Sequence, residues 1–213
     1  MPAASPGRRS PLRNGVQLVF EDSLPPEVRL ALAYAPASQR PVQLAAFALD
    51  ARLAGIAANA REVLLAQLKL AWWRERLAED PARRPQGEPL LAALAAWQGP
   101  VDPLLALIDG WEAMLDPDER DLAALAAARA ALARGLAMQA GRPEAADLAG
   151  RALHDWSLAS LGAGSDWPGL SLPRQLRALA VLHGLARRRK GQMPLLDGPL
   201  ALAAAMRIGM IGR

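Results

Sequence analysis

FALDARLAGIA (47–57), a short connection, then EVLLAQLKLAWWRERL (62–77): this stretch decides how the chain is read. Apolar residues recur in both segments at three- and four-residue spacing, so both read as helices. In the helix that contains the first, expected over 41–58, Val42, Ala46, Leu49, Leu53 and Ile56 form the main stripe, and Gln43, Phe47, Asp50 and Ala54 form a second row along its edge. Asp50 is the only charge on that row. It is either a surface acid at the helix edge or the one carboxylate of a cavity lined by Gln43, Phe47, Asp50 and Ala54. The second helix carries Val63, Ala66, Leu70, Trp73 and Leu77 on one face and Leu64, Leu65, Leu68 and Trp72 on the other. A helix apolar on two sides is expected at the centre of a bundle. Trp72 and Trp73 then point in different directions, and Trp73 is the candidate cavity residue.

The rest of the sequence extends this all-α reading. Apolar residues make up 52% of the 213, but Ala and Leu supply most of them, aromatics are only 4%, and Thr is absent. Such a composition favours helix over strand. The length suits one core, so a single domain is expected over 25–213, preceded by a flexible tail over 1–24. Helices are expected at 26–34, 41–58, 61–79, 88–97, 103–115, 118–140, 143–161, 173–189 and 199–210, with Pro and Gly between them. Asp102-Pro103 and Asp116-Pro117 read as N-cap and first-turn pairs. Short linkers make one compact bundle the simplest arrangement.

No apolar run reaches the ~18–20 residues of a membrane span. The N-terminal residues contain no apolar core of the secretory type. Cysteine is absent, which excludes disulfides, thiol nucleophiles and Cys-ligated metals and suits a reducing compartment; a cytoplasmic location, peripheral to the membrane at most, is expected. The net charge is +4, and Lys69 and Lys190 are the only lysines among the cations. Excess Arg suits anionic partners such as diphosphates or acidic lipid. Without a recognition motif or an aromatic-studded basic stripe, no nucleic-acid partner is expected.

Two further charges fall on apolar stripes. Arg129 lies among Leu122, Leu125, Leu132 and Leu136, and Asp155 lies near Leu148, Ala152 and Ala159. A buried guanidinium must be paired, and Asp50 and Asp155 are both candidates. The alternative is a cation aimed at an anionic ligand. His154 and His183 are the only histidines and form no metal-binding motif; no P-loop, GxGxxG or GxSxG occurs.

Residues 30–57 (LALAYAPASQRPVQLAAFALDARLAGIA) and 67–77 (QLKLAWWRERL), with Leu107-Ile108-Asp109-Gly110, resemble the squalene/phytoene synthase family. The likeness is that of a divergent short bacterial member, similar to the branch that includes a mitochondrial complex I assembly factor. It implies a helical bundle of the terpenoid-synthase type. It also implies head-to-head joining of prenyl diphosphates, with two aspartate-rich DxxxD-type motifs holding Mg²⁺ and Arg side chains gripping diphosphate. Asp50 matches the first motif, but Ala54 stands four residues on; Met114 occupies a position where the family often has Asp, and Asp155 has no i,i+4 acid. Tyr34 is the only tyrosine.

Asp50 is thus a candidate metal ligand, Arg40 and Arg129 are candidate diphosphate-binding residues, and Asp155 joins the candidate cavity lining. No residue is assigned as catalytic. A single carboxylate per helix is too few for a Mg²⁺–diphosphate cluster. The expected function is therefore that of a pseudoenzyme: an assembly or scaffold protein with a partner in a membrane complex, or an isoprenoid- or lipid-binding protein. No cofactor is expected. The alternative is an active prenyl diphosphate transferase of carotenoid or hopanoid biosynthesis with unusual metal ligation, for which Mg²⁺ would be required.

Overall fold

A computed structural model describes residues 20–85, 87–164, 166–189, 195–196 and 199–211. Its α-helices are α1 (Pro26–Ala33), α2 (Arg40–Ala58), α3 (Val63–Ala78), α4 (Pro89–Ala93), α5 (Asp102–Glu112), α6 (Leu122–Gln139), α7 (Ala146–Ser160), α8 (Arg177–Arg188) and α9 (Pro199–Ile211). No strand occurs among the described residues. The all-α bundle read from the sequence is the observed architecture.

Helix α2 is its axis. Residues 42–50 are all buried, with α1, α3, α4, α5 and α6 packed around them. By length and composition α2 could cross a membrane, although charged residues interrupt its apolar sequence; here its middle is covered by neighbouring helices. Helices α6 and α7 form an antiparallel hairpin and share the most extensive contact in the fold. Gly141, at φ 65°, ends α6 in the left-handed conformation. The Gly141 amide donates to the Met138 carbonyl at 3.0 Å and the Arg142 amide to the Ala137 carbonyl at 2.9 Å, closing the last turn before α7 begins.

Helices α5 and α6 approach closely because Gly110 has no side chain. A Cβ there would lie 2.5 Å from the Ala128 Cβ and 3.2 Å from the Leu125 Cα. The close approach lets Trp111, the next residue, reach across toward α6.

Several boundaries and placements differ from the sequence reading. Helix α6 starts at Leu122 rather than 118, because Asp121 is its cap and accepts from the Ala124 amide at 2.8 Å. Asp116 instead closes a turn with the Asp118 amide. Asp102 is the first helical residue, preceded by Val101 without a side-chain cap. The expected tail of 1–24 is too long. Residues 20–23 are helical, Phe20 and Leu24 are buried, and Glu21 pairs with Arg40 at 3.1 Å; residues 1–19 lie outside the described part.

The largest correction concerns α3. Ala66, Leu70, Trp73 and Leu77 are buried, but Leu64, Leu65, Leu68 and Trp72 face outward, and so does Val63. Helix α3 lies on the periphery, and α2 holds the central place expected of it. Apolar residues on two sides of a helix report burial only when the bundle has elements on both sides.

Candidate functional site

The residues singled out by their position on apolar stripes meet in the middle of the bundle. Asp50 comes from the centre of α2 and Arg129 from the centre of α6; their side chains are 8% exposed each. Arg129 grips Asp50 in a fork. Its Nη2 stands 3.0 Å from Asp50 Oδ2, and its Nε stands 3.1 and 3.2 Å from Oδ2 and Oδ1. Trp111, near the end of α5, donates its indole N–H to Asp50 Oδ1 at 2.7 Å. Both carboxylate oxygens are therefore engaged by protein donors.

The other side of Arg129 is equally occupied. Its Nη1 donates to Ser157 Oγ at 3.1 Å and to Ser160 Oγ at 3.4 Å, both on α7. The guanidinium carbon lies 5.2 Å from the Trp111 ring centre and 4.8 Å from that of Trp156, so the cation is held between two indole faces. Phe47 meets Trp156 edge to face, with ring centres 6.3 Å apart. Charge, hydrogen-bonding capacity and ring faces all close on one another here, which is how a buried ion pair offsets its desolvation cost.

The alternatives left open in the sequence are resolved by this geometry. Asp50 is buried rather than a surface acid, and Asp50 rather than Asp155 is the partner of Arg129. Asp155 faces α8 instead: its Oδ2 is 3.1 Å from His183 Nε2, and its Oδ1 is 3.5 Å from His154 Nδ1. Gln43 is buried one turn before Phe47 and donates from Nε2 to the Gln175 carbonyl at 3.0 Å. Ala54 is half-buried against the core, and Trp73 is buried with Arg52 5.9 Å from its ring centre. Arg40, at the start of α2, pairs with Glu21 and takes no part in the Asp50 cluster. Trp111, Trp156, Ser157 and Ser160 were not anticipated. Their signal was the need for partners around a buried Arg, which sequence spacing within single helices does not supply.

The donor set does not fit Mg²⁺. A divalent cation on Asp50 would have to displace Arg129 and Trp111 and then stand beside the guanidinium it displaced. Asp155, the second buried carboxylate among the described residues, is turned toward two histidines. Among the described residues no group of three or more His, Cys, Asp or Glu side chains is placed to hold a metal ion. A diphosphate on Arg129 would likewise compete with Asp50 for its donors.

Burial of His183 beside Asp155 gives the bundle a pH dependence. Burial holds the His183 imidazole below its ordinary value; the Asp155 carboxylate opposes this, while Arg187 and Arg151 act in the same direction as burial. His183 is thus neutral in the folded chain, while its unfolded counterpart takes up a proton below about pH 6.5. Stability is present in full above that pH and falls as the pH drops through it toward the lower folded value. Urea denaturation between pH 8 and 5 checks this. His183→Gln should flatten the fall, which for one proton cannot exceed about 1.4 kcal/mol per pH unit.

A second cluster ties α3 to α5 at the surface. Arg74 donates to Asp109 at 2.5 Å and to Glu112 at 2.8 Å, and these two hydrogen bonds raise its already high pKa. Partial exposure limits the stabilisation such pairs give.

The family model described as squalene/phytoene synthase matches residues 26–128. No curated protein and no solved structure matches the chain. Asp50 and Trp111 lie inside the matched region, whereas Arg129, Trp156, Ser157 and His183 lie beyond it.

Proposed function

We propose that this chain, squalene/phytoene synthase-like over residues 26–128, is a pseudoenzyme that serves as an assembly or scaffold protein. The observation that carries the reading is the engagement of both Asp50 oxygens by Arg129 and Trp111. Head-to-head prenyl transfer needs metal-bound carboxylates to stabilise the departing diphosphate. The one carboxylate at the matching position is committed to an internal cation instead. Arg129, a candidate cation for holding a diphosphate, is committed in return.

On this reading the polar cluster is structural. It fixes the register of α2, α5, α6 and α7, and the function rests on the outer surface of the bundle. The partner is a protein in the assembly of a membrane complex, and the chain works in the cytoplasm at or near the membrane surface.

Thermal denaturation with added farnesyl diphosphate, with and without Mg²⁺, tests the reading. The midpoint is expected to stay within about 1 °C of the ligand-free value, since a ligand that does not bind the native state cannot stabilise it. A Mg²⁺-dependent rise that disappears in Arg129→Met would favour the active transferase. A rise independent of Mg²⁺ would favour a prenyl-binding role without turnover.

A further inference from the structure

The outer face of α3 is apolar and uncovered. Leu64, Leu65 and Leu68 are 67%, 51% and 59% exposed and Trp72 38%, while Ala66, Leu70, Trp73 and Leu77 point into the core on the opposite side of the helix. Leu65, Leu68 and Trp72 follow the three-then-four spacing of a helix–helix seam. With Leu64 and Val63 they form a patch of roughly 400 Å², in the range of the largest apolar patch on a typical monomer, which is often functional.

The charges at its ends identify an occupant. Arg61, just ahead of the helix, stands seven residues before Leu68; Glu75 stands seven residues after it. Arg61 forms no ion pair among the described residues, and Glu75 meets only its neighbour Arg76, at 3.3 Å. A stripe with a cation at one end and an anion at the other is complementary to itself when reversed. We propose that α3 is a self-association surface, on which two copies of the chain pair antiparallel about a two-fold axis at Leu68.

In that arrangement each Glu75, about 10 Å along the helix from the axis, lies at the end of the stripe where the other copy's Arg61 leads into its helix. Each Trp72 covers Leu64 and Leu65 of the other copy, and the two helix dipoles oppose. An anionic bilayer suits the stripe less well, because Glu62 and Glu75 would face lipid phosphates. The patch is smaller than the roughly 800 Å² per partner of a standard interface, and Lys69 approaches its own copy near the axis. The dimer is therefore weak and concentration-dependent, with dissociation in the micromolar range or above.

Sedimentation velocity of the full chain over about 1–200 μM tests this, with anionic vesicle flotation run in parallel. The weight-average sedimentation coefficient is expected to rise with concentration. Leu68→Glu should weaken association roughly 30-fold or more, as for a central interface residue. Arg61→Glu and Glu75→Arg should each weaken it by about 5-fold, and the double reversal should restore it to within about 2-fold. All three positions are exposed, and unchanged circular dichroism confirms that the variants fold. A monomer at every concentration overturns the proposal, as does a double reversal that fails to restore pairing. A monomer that floats with vesicles and loses this in Leu68→Glu assigns the stripe to lipid and overturns it as well.

Discussion

Arg129→Met is expected to destabilise the bundle by about 3–5 kcal/mol, because it leaves the Asp50 carboxylate buried beside apolar neighbours with only the Trp111 indole to hold it. For a chain of this length that corresponds to a loss of about 10 °C in the thermal midpoint. Asp50→Leu alone should be comparably harmful, since it strands the guanidinium between two indole rings. The double variant, Asp50→Leu with Arg129→Met, should recover most of the loss. Removing both charges together abolishes the desolvation cost that each single change exposes. A double-mutant cycle measured by urea unfolding reads this as a coupling of several kcal/mol between α2 and α6, roughly. Additive losses at the two positions would mean that the fork is not the partner each charge depends on.

Trp156→Ala should have an effect of similar size, about 3–5 kcal/mol, and a more informative companion. The ring is almost wholly buried, covers one face of the Arg129 guanidinium and meets Phe47 edge-on. Truncation opens a cavity and uncovers the cation on one side. The indole N–H, however, has no hydrogen-bond partner among the described residues. Trp156→Phe keeps a ring over Arg129 and removes that lone donor, so its cost should stay near 1–2 kcal/mol, about what a volume change in a packed core produces. Trp111 provides the contrast. Its N–H holds Asp50 at 2.7 Å, so Trp111→Phe should cost more than Trp156→Phe despite the same change in volume. Equal losses for the two Phe variants would contradict the distinct roles assigned to the rings.

The helices were largely legible because their signals are local. Apolar spacing and Pro/Gly punctuation fix most helix cores, and a family likeness in the first half of the chain gives the bundle type. The anomaly at Arg129 was legible for the same reason: a cation inside a Leu/Ala stripe demands a partner. Which partner was not legible, because Asp50 and Asp155 satisfy the same helical geometry and only the packing of α2 against α6 separates them. Trp111 and Trp156 looked like ordinary apolar anchors, since a ring's service to a cation depends on an element distant in sequence. The error at α3 has the opposite origin. Leu64, Leu65, Leu68 and Trp72 read as buried because apolar residues usually are, whereas among the described residues no helix covers that side. Apolarity shows that a face prefers to be covered, and the covering element can lie outside the chain.

Both features bear on function in the same direction. The interior position where the family likeness places metal chemistry is committed to an internal ion pair, while an outer helix offers apolar surface to a partner. The most direct test is release of pyrophosphate from farnesyl or geranylgeranyl diphosphate by the purified full chain in the presence of Mg²⁺. The expected result is release no faster than in the protein-free control, with or without Mg²⁺, and the same for Asp50→Asn. Release that requires Mg²⁺ and is lost in Asp50→Asn would show that Asp50 serves a metal rather than Arg129, and would contradict the assignment of this bundle as a pseudoenzyme.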